Sequence, residues 1–407
     1  MRSVDEQLAR VLAAAVRPAP VRVAISEAGG LRCAEEVVAP RALPGFDQAA
    51  VDGYAVRSVD LVGATDDDPV VLPVVGEIPA GSRQPHRLQP GQAVQVATGA
   101  PLPTLADAVV PLAFTDEGSA KLTVHRVVPS AGWVRRIGED VQPGDVVVRR
   151  DSVIDAVQVG LLAAAGRDKV LVYPRPRVSV LSVGDELVEP GRTPGPGQVA
   201  DASAHALSAA AREAGAETGR AAVVGGEPRA VAAAIADRLP FSDVLVVCGA
   251  AGGRTAAEIQ AALANLGSLD ATRVAMHPGS CQGFGRLGPD GVPTFLFPNH
   301  PATALLLFEV LVRPLLRTAL GLPVHRRTMT AQLLSPVASV PGRRGHLWGR
   351  LLREESTGEF LAQPLVTSGG QLLSSLTEAN ALIVLPEHVT EAGLDERVSV
   401  TFLPPPR

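Results

Sequence analysis

The sequence predicts a multidomain protein of the α/β plus β class, and three observations predict it. A central stretch alternates apolar strand-like runs with alanine-rich helical runs, a β-rich stretch broken by Gly and Pro precedes it, and a second β-rich stretch closes the chain. With 407 residues there is room for several domains at about 150 residues each. Hydrophobic residues at 46% against 19% charged provide enough apolar surface to offset the ordering entropy of a folded chain.

Each element follows from local pattern. Val4, Leu8, Val11, Leu12 and Ala15 recur at helical spacing, with Ser3 as N-cap and Asp5 and Glu6 in the first turn, so a helix is expected over Ser3 to Val16, ended by Pro18 and Pro20. Short β runs then follow at Val70 to Val75, Ala93 to Ala97, Ala108 to Leu112, Leu122 to Val128 and Val146 to Val148, and Gln142-Pro143-Gly144-Asp145 reads as a turn. This half is expected to be barrel or irregular β structure. From Val178 the rhythm is βαβ around a parallel sheet: strands at Val178 to Val183, Thr218 to Val224, Val244 to Val247, Arg273 to Met276 and Thr294 to Phe297. The helices between them fall at Ala202 to Ala214, Arg229 to Leu239, Ala256 to Leu266 and Thr303 to Leu320. The closing β stretch places strands at Thr328 to Leu334, Leu347 to Leu352, Phe360 to Pro364, Ala381 to Pro386 and Arg397 to Phe402.

Composition excludes several classes. Aromatics at 3%, a net charge of -5 and the lack of a dense basic run argue against nucleic acid as a partner. Cys33, Cys248 and Cys281 are odd in number and far apart, which fits neither a disulfide framework nor a paired-Cys zinc site and points to a reducing compartment. Charges interrupt the N-terminal apolar residues, and no segment reaches the length of a membrane span, so a cytoplasmic protein without membrane contact is expected.

Six polar constellations interrupt this scaffold. Asp47 and Asp52 stand five apart, the second followed by Gly53, for which a plain Asp-Gly turn is the simpler reading. Ala97-Thr98-Gly99-Ala100-Pro101 offers a hydroxyl at a strand end, and Gly138-Glu139-Asp140 a further acidic turn. Ser182-Val183-Gly184-Asp185-Glu186-Leu187 lies just past the first α/β strand, where open α/β sheets bind ligands; the acids there serve equally well as turn caps. Val247 to Thr255 is a Gly-rich strand-to-helix loop without the ending of a P-loop or a dinucleotide fingerprint. In Phe297-Pro298-Asn299-His300-Pro301-Ala302-Thr303, a Pro-bracketed turn presents Asn299 and His300 ahead of a helix whose cap is expected at Thr303 or a neighbour of Ala302.

Taken in order, Phe46-Asp47 leading into Asp52-Gly53-Tyr54-Ala55, then Thr98-Gly99-Ala100-Pro101 with Ala106-Asp107-Ala108-Val109-Val110, Gly138-Glu139-Asp140, Gly144-Asp145 and Gly184-Asp185-Glu186-Leu187 resemble the molybdopterin molybdenumtransferase family of molybdenum cofactor biosynthesis. Leu372-Leu373-Ser374-Ser375-Leu376 and Ala379 to Pro386 extend the likeness to the end of the chain. The resemblance implies an elongated, usually homodimeric subunit of four parts: residues 1–43 with 135–172 as a connecting domain, 44–134 as a β-rich lobe, 173–322 as an α/β pterin-binding domain and 323–407 as a C-terminal β domain. It implies cleavage of adenylated molybdopterin, insertion of molybdate and release of AMP, assisted by Mg2+, in a cleft between the α/β domain of one subunit and the β-rich lobe of the other. Carried over by position, Asp52, Thr98, Asp140 and Glu186 are the catalytic residues, with Asp52, Asp140 and Glu186 as metal ligands. Gly184, Asp185, Gly249, Gly252, Pro298, Asn299, Pro301 and Thr303 bind the pterin substrate.

The chain departs from the family pattern in two loops. The family's Gly-Gly-Val-Ser-Val-Gly reads Gly249-Ala250-Ala251-Gly252-Gly253-Arg254, with Ala257 in place of the following Asp. The family's Lys and Lys-Pro-Gly-Lys-Pro read Arg273 and His277-Pro278-Gly279-Ser280-Cys281, and Asn299-His300 replace its Gly-Asn. A pterin-binding or scaffolding paralogue without turnover is therefore the alternative to a working transferase.

Overall fold

The computed structural model describes residues 1–83, 87–253, 255–365 and 373–403; Arg254 and Leu372, named above, lie outside them. The chain divides into two compact units, Pro20–Val172 and Met1–Ala19 with Tyr173–Arg407. Among the described residues no helix is long and apolar enough to cross a membrane.

In Pro20–Val172, Val21–Ala24 and Arg32–Cys33 flank Lys169–Tyr173 in a small sheet, packed with the helix Ala156–Ala164. Asp155 and Gln158 form a capping box at the start of that helix, each side chain taking the other's backbone N–H. Cys33, Ile154, Leu162, Val170 and Val172 fill the core between them. The unit also holds a five-stranded sheet in the order Ala108–Pro111, Gly53–Val56, Ala93–Val96, Val70–Ile78, Lys121–Val124, and the short pair Val37–Val38 with Val146–Val148. Gly53–Val56 had no place among the expected strands. It is short, begins with Gly and is buried throughout, so it lacks the apolar–polar alternation that marks a half-exposed strand. Tyr54 and Val56 enter one core while Ala55 enters another on the opposite face.

In the other unit the α/β sheet runs Glu217–Thr218, Arg177–Val183, Val244–Cys248, Val292–Phe297, Gly283–Leu287, Gly267–Asp270, with Ala222–Val224 also paired to Arg177–Val183. Its continuous apolar runs reflect burial of both faces. Val178, Val180, Val244 and Val246 enter one core, and Leu181, Val183, Leu245 and Val247 the other. The four βαβ strands are parallel as expected, but the far edge is not: Gly283–Leu287 pairs antiparallel with both Val292–Phe297 and Gly267–Asp270. The strand expected at Arg273 to Met276 shrinks to Met276–His277 and pairs with Arg344–Gly345 of the terminal β domain instead. The preceding helix ends at Leu263, three residues short of the expected end, and the strand Gly267–Asp270 follows.

The helix expected over Thr303 to Leu320 is present but widens into a π turn at Phe308–Val312, between Pro301–Leu307 and Arg313–Ala319. Pro314 has no N–H to donate to the preceding turn, and the wider turn accommodates its ring. The N-terminal helix, Val4–Leu12, carries the expected Ser3 cap as a capping box with Glu6 and ends a turn early. All five expected terminal strands form. In the order Arg344–Arg353, Phe360–Pro364, Thr328–Leu333, Arg397–Phe402, Ala381–Leu385, the last pairs back with the first, closing a small barrel around Leu333, Leu351, Ile383 and Val400.

Candidate functional site

In the β-rich unit the acidic constellations gather around one short strand. Gln48–Ala49 pairs with Val134–Arg135, which leads into the Gly138-Glu139-Asp140 turn, while the Ala49 backbone exchanges hydrogen bonds with Gly99 (2.8 Å) and Ala100 (3.0 Å). Asp52 and Thr98 are joined directly. The Thr98 N–H donates to Asp52 Oδ1 at 2.7 Å and its hydroxyl donates to the same oxygen at 2.8 Å. These two bonds, backbone first, hold the Asp52 carboxyl below the usual range, so it stays ionised at neutral pH. Oδ2 takes no part in either bond. Asp140, exposed, lines an open hollow of about 510 Å3 with Pro44, Gln48, Arg135 and Glu139.

Asp47, the other member of the expected carboxylate pair, is a support. It accepts from the Ile137 N–H at 2.8 Å and from Arg136 Nη1 at 2.6 Å, tying down the turn that carries Asp140. Burial works to raise its pKa, and the Ile137 amide and Arg136 outweigh it, leaving the group lowered. Thr98→Val keeps the amide donor and removes the hydroxyl, so the Asp52 carboxyl is expected to titrate at higher pH than in the parent chain. Carbon-detected NMR of the Asp52 carboxyl checks this, and an unchanged titration contradicts it.

In the α/β unit the remaining constellations crown the carboxyl ends of the parallel strands. The chain passes from Arg177–Val183 outward to Ala222–Val224 on one side and then returns to Val244–Cys248 on the other, so a topological switch point lies between Arg177–Val183 and Val244–Cys248. There Gly249 sits at φ 86°, and a Cβ would lie 2.0 Å from the Val183 carbonyl oxygen, which is why the residue is Gly. Gly252 follows at φ 75°.

Asp185 and Glu186 diverge. Asp185 turns to the neighbouring strand end, where Oδ1 accepts the Gly226 N–H at 2.8 Å. Glu186 reaches the other way, its Oε1 accepting from Asn299 Nδ2 at 2.8 Å. Pro298 and Pro301 bracket Asn299, but the cap of the following helix is neither Thr303 nor a neighbour of Ala302. It is His300, whose Nδ1 accepts the Thr303 N–H at 3.3 Å and lies 3.2 Å from the Thr303 hydroxyl. That hydroxyl is therefore already engaged.

Asp201 escaped the reading of the sequence. It is 4% exposed, and its Oδ1 accepts the Ser182 hydroxyl at 2.8 Å and the N–H groups of Ser203 (2.9 Å) and Ala204 (3.3 Å), pinning the base of the 184–200 loop to the next helix. An Asp two residues before Ser203 at a helix start is an N-cap signal, hidden here because the helix was expected to begin at Ala202.

Three family models tile the chain: the MoeA N-terminal region (domain I and II) over residues 2–166, a probable molybdopterin binding domain over 179–318, and the MoeA C-terminal region (domain IV) over 330–403. Molybdopterin molybdenumtransferase 1 of Mycobacterium tuberculosis is 53% identical over 423 aligned residues, spanning 99% of each chain. The chain belongs to the molybdopterin molybdenumtransferase family. Molybdopterin molybdenumtransferase 2 of the same organism is 37% identical over 98% of this chain and 99% of its own. A crystal structure of the molybdopterin biosynthesis MoeA protein from Pyrococcus horikoshii superposes with a TM-score of 0.78 at 31% identity, covering 98% of both chains.

The two loops in which this chain departs from the family pattern can now be placed. Ala257 is exposed on the first turn of the helix Ala256–Leu263. Ser280 is 8% exposed, and its hydroxyl has no hydrogen-bond partner among the described residues. His277 has its pKa lowered by burial and then by the Arg343 charge, so it is neutral at neutral pH and does not replace a lysine's charge. Arg286, on the strand Gly283–Leu287, donates to the Ala13 carbonyl at 3.2 Å.

Proposed function

We infer that this chain is a molybdopterin molybdenumtransferase of molybdenum cofactor biosynthesis, which cleaves adenylated molybdopterin, inserts molybdate into the pterin dithiolene and releases AMP. The observation that carries the reading is kinship over the entire length, 53% identity across 99% of the chain, with a protein named for that activity. The acidic and hydroxyl residues Asp52, Thr98, Asp140 and Glu186 that the family pattern calls for are all present. The proposal includes a cytoplasmic homodimer, the four-part division given above, and substrate contacts from Gly184, Asp185, Gly249, Gly252, Pro298, Asn299, Pro301 and Thr303.

Asp52 is held ionised by Thr98, and Glu186 is held in place by Asn299, so both present acceptor oxygens without first having to be ordered. Asp52, Asp140 and Glu186 are exposed carboxylates, the donor type that suits a hard divalent cation such as Mg2+, and they would hold it. Support for the cation is this donor chemistry rather than a formed cluster, since the described residues gather no group of three or more His, Cys, Asp or Glu. When bound, such a cation neutralises pyrophosphate charge. Asp52→Asn and Glu186→Gln are each expected to slow AMP release by about a hundredfold, and chelation of Mg2+ to abolish it. Both variants releasing AMP at the parent rate would refute the site assignment.

A second reading, a molybdopterin-binding or scaffolding protein without turnover, has one observation in its favour: neutral His277 and Ser280 stand where the family carries lysines. Tight binding of molybdopterin without metal insertion is its signature.

A further inference from the structure

We infer that Asn299 is a positioning residue for Glu186, holding that carboxylate across the end of the strand Val244–Cys248 in the orientation it uses in the reaction. The inference deepens the reading above and rests on it.

Glu186 follows the strand Arg177–Val183 and Asn299 follows Val292–Phe297, with Val244–Cys248 lying between the two in the sheet. The 2.8 Å bond from Asn299 Nδ2 to Glu186 Oε1 therefore spans the mouth of the Gly249 loop. The carboxylate also lies over Gly184. At Gly184 an added Cβ would lie 2.5 Å from Oε2 and 2.7 Å from both Cδ and Oε1 of Glu186, so the carboxylate rests over glycine backbone in space that a side chain at 184 would contest. The amide bond to Oε1 and the open space over Gly184 together favour one placement of the Glu186 carboxylate.

Asn299 is itself held. Pro298 and Pro301 restrict the backbone on both sides, the His300 N–H donates to the Pro298 carbonyl at 3.0 Å, and His300 caps the following helix. A neutral amide donor orients the carboxylate without cancelling its charge. Gly at this place in the family turn would leave the carboxylate without that donor, so the restraint belongs to the Asn299-His300 variation of this chain. Asp185 is tied to Gly226, which leaves Glu186 as the member of the pair that reaches across the switch point.

The test measures steady-state AMP release from adenylated molybdopterin with Mg2+ and molybdate, together with NMR order parameters of the Glu186 side chain in the unliganded protein. Asn299→Gly is expected to lower kcat about fivefold and to lower the Glu186 order parameter. Asn299→Asp, of the same shape and able to keep the turn, sets carboxylate against carboxylate and is expected to lower kcat about tenfold or more. Parent-like kcat and parent-like Glu186 order in both variants, while Glu186→Gln is inactive, would overturn the inference alone. A Glu186→Gln variant as active as the parent would instead overturn the reading on which it rests. The order parameters decide the positioning role even if AMP release is absent.

Discussion

Gly249→Ala is expected to destabilise the α/β unit by about 3 kcal/mol or more and to abolish substrate binding with it. Two costs combine. The backbone at φ 86° disfavours any residue with a Cβ, by about 1 kcal/mol, and the new methyl would sit 2.0 Å from the Val183 carbonyl oxygen, a distance no packed carbon tolerates. Relief requires the loop after Val244–Cys248 to lift off the end of Arg177–Val183, the strand pair that frames the switch point. Gly253→Ala is the control. Gly253 has a similar φ, 81°, but a Cβ there meets nothing within 4 Å, so only the backbone cost applies. Urea unfolding of the two variants separates strain from collision, and equal midpoints would contradict the account.

The contrast between Gly249 and Gly253 also shows where a sequence stops being readable. The Gly-rich loop stands out as a string, yet which glycine is indispensable depends on a carbonyl contributed by a strand some 65 residues earlier. The βαβ rhythm was legible because strands such as Val244–Cys248 are buried on both faces and leave uninterrupted apolar runs. The strands of the terminal barrel were legible because alternation survives in segments such as Arg397–Phe402. Gly283–Leu287 was not, since its two glycines interrupt the apolar pattern of a strand whose antiparallel partner lies across a hairpin. At the site, composition and order marked Asp52, Thr98 and Glu186. Only the fold shows that Asp47 and Asp185 are tied to the backbone of neighbouring loops, and that His300 rather than Thr303 caps its helix. These distinctions rest on long-range hydrogen bonds, which leave no periodic trace in a sequence.

The stability of the chain is expected to fall steeply as pH drops from about 6.5 towards 4, and His346 carries the largest share. Burial first, and the Arg344 charge second, push its pKa down to about 4, against 6.5 for the free side chain; Glu387 and a backbone bond to Arg344 oppose the shift without reversing it. Above 6.5 the imidazole is neutral in both folded and unfolded chains, so its contribution is fully present. Between 6.5 and 4 the unfolded chain takes up a proton that the folded chain refuses, and up to about 3 kcal/mol is lost. His277, also lowered, adds to the same slope. His346→Gln cannot titrate, so its unfolding free energy is expected to vary less with pH than the parent's across that window. Parallel profiles for the two proteins would contradict the assignment.

Turnover of adenylated molybdopterin by this chain is measured by following AMP release from that substrate by the purified protein in Mg2+, with molybdate varied from zero upward. AMP release is expected to rise with molybdate, and the pterin product to carry molybdenum. No AMP at any molybdate concentration, from a protein that still binds molybdopterin, would contradict it and leave the binding-only reading standing.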